Sequence, residues 1–294
     1  MSQFSIRQAV GFAGSAYVKH WMVLLAAGLV VGVSHYVREY VPRMVAQKLE
    51  IYQQVTVKLD MAEQPVMQQA HFVLEKISAH LQNTPKHLLL IMLLTLLVCW
   101  MLYAFVLCGF IRIVLNIKDK DTAHLGLFLE DTKVIFRAMG TFLIILLYAL
   151  SMLVGIAFLS VPAVMIIKHL LGVGLMRIMM GMTSMIVIAG AFGYWLVSYL
   201  FPLFCLVDKP QTTIRAALAM GQTLVSGMRI KLLGALFLLA CIIMPISAVI
   251  INFLGVFGVA SVHQSLLQQS IASVITAPFG YLYMGFIYRA LTEK

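Results

Sequence analysis

The sequence predicts an all-α polytopic membrane protein: six transmembrane helices with amphipathic interfacial helices, arranged as three helix-plus-hairpin units. Composition is the first reason. Of 294 residues, 62% are hydrophobic and 11% charged, and the mean hydropathy is +0.98. Soluble domains are about 45–50% apolar and about 25% charged, so this chain has too few charges to cover its apolar surface in water. The second reason is that charges cluster between charge-free intervals of bilayer length, and the third is that the segments between those intervals carry helical amphipathic periodicity. Residues 1–294 therefore read as one integral membrane domain.

No Asp, Glu, Lys or Arg occurs in 20–37, 87–111, 138–167, 178–207 or 232–288. A helix crosses the hydrocarbon core with about 20 residues, so the first four intervals each supply one span. Trp21, Tyr36 and Tyr40 flank the first as interfacial anchors. The last interval is long enough for two spans, with a break between Gly255 and Gln264 where glycine and polar residues gather. A cleaved signal peptide is the competing reading of 20–37. It would need a short basic leader before it and small residues after it, whereas 19 residues of amphipathic pattern precede it and Ser34-His-Tyr-Val37 follows.

Basic residues set the expected orientation. The loops 112–137 (Arg112, Lys118, Lys120, Lys133, Arg137) and 208–231 (Lys209, Arg215, Arg229, Lys231) hold nine. The opposite side has Lys168 and Arg177 in its short loop and none near 258. The positive-inside rule then places both termini in the cytoplasm. The 49-residue segment 38–86 carries six basic and five acidic residues, but long loops translocate with less regard to charge.

Three segments resemble helices lying flat in the headgroup layer. In 208–231, Thr212 or Thr213 can cap a helix whose apolar face is Ile214, Ala217, Leu218, Gly221, Leu224, Val225 and Met228, with Arg215, Gln222 and Ser226 off that face. Packing as a cytoplasmic helix on neighbouring spans is equally compatible. The N-terminus repeats the design, with Ser5-Ile6-Arg7-Gln8-Ala9 matching Thr213-Ile214-Arg215-Ala216-Ala217, and Ile6, Ala9, Val10, Ala13 and Tyr17 on one face. A third, fainter copy starts at Asp121 or Thr122, turns Leu125, Phe128, Ile135 and Phe136 inward, and ends at Arg137. Each copy precedes a pair of spans. The segment 38–86, an extracytoplasmic insertion between spans 1 and 2, carries two further helical stripes. They can pack on each other or bind an envelope protein partner.

The span centres hold no charged residue, which argues against a proton-coupled pump or a charged catalytic pair in the membrane. Gly28 and Gly32 form a GxxxG, and Ala189/Gly193 and Ala272/Thr276/Gly280 repeat small-xxx-small spacing, which lets helix backbones approach. Pro162, Pro202, Pro245 and Pro278 sit in or near the ends of four spans, where they kink or terminate helices. The net charge of +10 is spread between apolar runs, which reads as attraction to anionic lipid and not nucleic-acid binding. Cys99, Cys108, Cys205 and Cys241 lie in apolar runs without CxxC spacing, and the eight histidines lack metal-ligand spacing, so neither a disulfide framework nor a metal site is expected. Met176, Met179, Met180, Met182 and Met185 read as an apolar stripe, not a copper site. No GxSxG, HExxH, Walker A or dinucleotide fingerprint occurs, so no catalytic residue and no cofactor are expected.

Several runs carry a family resemblance: Phe201-Pro-Leu-Phe-Cys-Leu-Val-Asp208 closing a span, Ala216-Ala-Leu-Ala-Met-Gly221 leading into Arg229-Ile-Lys-Leu-Leu-Gly234, Pro278-Phe-Gly-Tyr-Leu-Tyr with Tyr288-Arg-Ala-Leu291, and Gly109-Phe-Ile-Arg112. Over about 100–294 they resemble the bacterial membrane domain attached to some glycerophosphoryl diester phosphodiesterases and related inner-membrane proteins. The resemblance implies a six-span bacterial inner-membrane protein with re-entering amphipathic segments. It carries over no catalytic residue, because the phosphodiesterase domain is absent.

Two functions follow as expectations. The first is a non-enzymatic scaffold or membrane-organising subunit, as a monomer or an oligomer, holding anionic headgroups with Arg7, Lys19, Lys133, Arg137, Arg215, Arg229 and Lys231. The second is a transporter or channel for a small neutral or lipidic solute, with Asn252 and Gln268 lining a route kinked at Pro245 and Pro278.

Overall fold

The computed structural model describes residues 5–48, 85–129, 133–170, 190–256 and 262–293. Every regular element among them is a helix: α1 (Ile6–Lys19), α2 (Trp21–Lys48), α3 (Lys86–Lys120), a 3-10 turn (Leu125–Leu129), α4 (Lys133–Leu170), a helical stretch over 190–196 continued by a 3-10 turn (Val197–Tyr199), α5 (Pro202–Asp208), α6 (Ile214–Val225), α7 (Arg229–Val256) and α8 (Val262–Thr292). Among the described residues six helical stretches are long and apolar enough to cross a membrane: Trp21–Val45, Lys86–Lys120, Val134–Met152, Gly190–Asp208, Arg229–Leu254 and Leu266–Thr292. The expected break in the last interval falls between Val256 and Val262. Residues 178–189 of the expected fourth span lie outside the described residues.

The chain is built around α8, whose Leu282, Tyr283, Ile287 and Tyr288 are fully buried. Small residues decide what packs on it. At Gly28 of α2 a Cβ would land on the backbone carbonyl of Val274, and at Gly32 one would stand 2.9 Å from that of Ser270. The GxxxG thus marks a backbone-to-backbone contact between α2 and α8. Tyr283 satisfies its buried hydroxyl by donating to the Ala235 carbonyl of α7 at 3.1 Å. On the far side of α8, Gly285 leaves room for the Val114 side chain of α3.

Two amphipathic helices dock on one end of this bundle. α1 buries Ala9, Ala13 and Ala16, and its Phe12 ring meets Phe286 of α8 at 5.4 Å. α6 buries Ala217, Gly221 and Val225. Thr213 is its N-cap, accepting a hydrogen bond from the Ala216 N–H. A glycine at 221 is required because the Pro202 ring would lie 2.8 Å from any Cβ there.

Three expectations are corrected. The first span does not end at 37, because α2 continues through Pro42 to Lys48. Its charges are satisfied locally: Arg38 pairs with Glu39 at 3.0 Å and stacks on the Tyr103 ring at 4.3 Å, and Arg43 reaches Glu39 at 3.6 Å. The third flat helix is replaced by the five-residue 3-10 turn Leu125–Leu129. The reason is that Asp121 closes α3 in the left-handed conformation and α4 already starts at Lys133, so Ile135, Phe136 and Arg137 belong to a span and not to a flat helix. Phe136, expected inward, is 69% exposed on α4. The paired outer helices expected in 38–86 fall for the most part on 49–84, outside the described residues.

Candidate functional site

The helix ends that carry charge converge at one end of the bundle. Asp119 closes α3 and Asp208 closes α5. An acid at a helix C-terminus faces the negative end of the macrodipole, so each needs a cation. Arg289, in the last turn of α8, supplies it to both: one guanidinium nitrogen bonds Asp119 and the other bonds Asp208 at 2.7 Å. The preceding residue, Tyr288, is fully buried between Phe201 and Phe204 (ring centroids 5.9 and 5.4 Å) and donates its hydroxyl to Asp208 at 2.9 Å. Two of Asp208's contacts thus come from consecutive residues of α8.

A second ion pair fastens α1. Asp121 caps α3 in the left-handed conformation (φ 53°), which Asp tolerates better than most residues, and Asn116 steadies the turn by donating to the Thr122 carbonyl and hydroxyl at 2.8 Å each. Its carboxylate receives Lys19, and His20 Nε2 lies 3.1 Å away. The hydrogen bond from Lys19, then that from His20, holds the Asp121 carboxyl below the usual carboxylate range. A carboxyl depressed in the folded state contributes stability above its ordinary value near pH 4, and that contribution is lost as pH falls through the lower, folded value. The protection factors of α1 amides should therefore be flat from neutral pH to about pH 5 and fall below about pH 4. D121N should start less protected and show no such fall, whereas identical profiles for the two chains would refute the latch.

Beside this knot lies a cavity of about 350 Å³, lined by Cys205, Lys209, Met220, Thr223, Leu224, Tyr288, Leu291 and Thr292. It opens between the end of α5, the flank of α6 and the last turn of α8.

The cations named from sequence meet different fates here. Arg7 and Arg215 are exposed on α1 and α6. Lys19 is spent on Asp121. Arg137 is turned inward, donating to the Pro210 carbonyl and to that of Thr212 at 3.4 Å, and so ties α4 to the loop before α6. Arg229 lies over the Tyr194 ring at 5.3 Å with its Nε buried, and Lys231 is half-buried beside it at the start of α7. The side chain of Lys133 lies outside the described residues. The residues named for a solute path are not brought together. Asn252 and Pro245 are exposed on α7, Gln268 is half-buried at the start of α8, and Pro278 is buried against the Gly28 backbone. None of the four lines the cavity.

Sequence reasoning missed Asp119, Asp208 and Arg289 as a unit. Its signal was available: three of the eleven acidic residues, Asp119, Asp121 and Asp208, stand at or just past a helix C-terminus, where an unpaired acid is disfavoured. The runs that carried the family resemblance also meet in space. Phe110 packs on Tyr281 at 5.2 Å, Phe201 and Asp208 meet Tyr288 and Arg289, and Gly221 backs onto Pro202. Among the described residues no group of three His, Cys, Asp or Glu side chains is placed to hold a metal ion. Comparison of the chain with family models, with curated proteins and with solved structures gives no match.

Proposed function

We propose that this multi-pass membrane protein is a non-catalytic scaffold of a bacterial inner membrane, which gathers anionic lipid around its charged end with both termini on the cytoplasmic side. The observation that carries the reading is the division of labour among the cations. Lys19, Arg137 and Arg289 are engaged by acceptors of the fold, while Arg7 and Arg215 are left exposed on two docked amphipathic helices. Basic residues at an anionic membrane surface contribute about 1 kcal/mol each. The scatter of Asn252, Gln268, Pro245 and Pro278 supports this reading over solute transport. An envelope partner bound through 38–86 is compatible with it.

Native mass spectrometry of the detergent-extracted protein tests the reading. Anionic lipid should co-purify with the native chain, and the R7Q/R215Q double variant should bind anionic vesicles about 30-fold more weakly, the equivalent of about 2 kcal/mol. A lipid-free monomer that passes neutral solutes in proteoliposomes would overturn it.

A further inference from the structure

We propose that the cavity beside α6 binds one molecule of anionic phospholipid, with the headgroup phosphate on Lys209 and the apolar stem on Met220, Leu224 and Leu291. The proposal rests on the reading that the charged end gathers anionic lipid, and narrows it to a single saturable site.

Size, shape and charge carry it. A volume of about 350 Å³ lies in the range of small-molecule sites, roughly 300–1,000 Å³, and holds far more than one phosphate. The cavity runs from surface to core: Lys209 on its wall is exposed, whereas Tyr288 is fully buried. Its lining separates by chemistry into an apolar side (Met220, Leu224, Leu291) and a polar side (Lys209, Thr223, Thr292). That division fits an amphiphile and not a free ion.

The charge argument depends on the knot next door. Asp208, the acid beside Lys209 in the chain, is already taken by Arg289 and by the Tyr288 hydroxyl. Lys209 consequently makes no ion pair among the described residues, and an exposed cation on the wall of a half-apolar cavity favours an anion. Thr223 donates its proton to the carbonyls of Ala219 and Met220, and Thr292 to those of Tyr288 and Arg289. Both hydroxyl oxygens remain as acceptors, which suits a headgroup that carries hydroxyl donors of its own. The amphipathic helix α6 forms one wall, so the ligand would enter at the depth where such helices lie, the headgroup layer.

Titration of the full-length protein in neutral detergent tests the proposal, with dihexanoyl phosphatidylglycerol, dihexanoyl phosphatidylcholine and inorganic phosphate as probes. Phosphatidylglycerol should fill one saturable site, with the other two probes at least about fivefold weaker. K209Q should weaken the site about fivefold to tenfold, the equivalent of losing one surface cation. T223W, which places an indole in the cavity, should abolish it, with M220W as the second filling variant should T223W unfold. Equal binding of phosphatidylcholine would overturn the proposal, and so would equal binding of inorganic phosphate, which would identify a free-anion site. Native affinity in both K209Q and the filled variant would do the same. Retention of the Lys209 site in R7Q/R215Q with no loss of vesicle binding would count against the scaffold reading alone.

Discussion

Replacing Arg289 by methionine is expected to lower the unfolding free energy of the solubilised protein by about 3 kcal/mol, among the largest single-residue effects in the molecule. The size follows from what is left behind. Arg289 and Asp208 each keep only 16% of their side-chain surface in contact with solvent, and Asp119 keeps 36%. Removing the shared cation strands two carboxylates at helix C-termini, where the macrodipole already disfavours them. Breaking a buried pair costs about 3–5 kcal/mol, and the partial hydration of Asp119 puts this case at the lower end. The double variant R289M/D208N should recover a good part of the loss, because the amide needs no counter-charge and still accepts from Tyr288. A denaturant or thermal cycle over the two singles and the double measures this. If R289M alone stays within about 0.5 kcal/mol of the native protein, the knot is not what joins α3, α5 and α8.

Gly28→Val is expected to cost roughly 3 kcal/mol, and Gly28→Ala already a substantial part of that. The atom in the way of a new Cβ at Gly28 is a backbone carbonyl, that of Val274, with the Pro278 ring beside it at 3.0 Å. Neither can rotate aside as a flexible side chain would, so α2 and α8 must separate along this backbone contact. Gly14 of α1 is the control. A Cβ there meets nothing within 4 Å, so Gly14→Ala should be neutral or stabilise by up to about 1 kcal/mol through helix propensity. Should Gly28→Ala and Gly14→Ala melt together in detergent, the close approach of α2 to α8 is wrong.

Much of the architecture was legible because its physics is local. A charge inside a span is costly unless it is paired, so uninterrupted apolar runs located the six spans. The two boundaries that moved did so where that penalty is relieved by neighbours. Arg38, Glu39 and Arg43 partner one another and Tyr103, which lets α2 continue past 37. At the end of α3 the buried Ile113, Val114 and Ile117 prolong the helix past 111 to Lys120. Periodicity placed the apolar faces of α1 and α6 correctly for the same reason: a helical face is a property of neighbours in sequence.

The candidate site was much less legible. In the sequence the basic residues form one pool of candidate headgroup ligands, but a cation's role depends on whether an acceptor lies within reach. Arg137 and Arg215 illustrate the point. Both flank amphipathic segments, yet the first is turned into the carbonyls of Pro210 and Thr212 while the second stays exposed. Nothing in their immediate sequence separates them.

The amino-acid sequence by itself determined that this chain is helical, that lipid is its solvent and that six stretches cross it, because burial of apolar surface and satisfaction of backbone hydrogen bonds are set within each segment. Only the tertiary structure decided that Asp119, Asp208 and Arg289, separated by 81 to 170 residues along the chain, form one ionic knot with a cavity at its side. Such pairings depend on the angles at which spans cross, and small residues like Gly28, Gly221 and Gly285 set those angles through contacts made only after the helices meet.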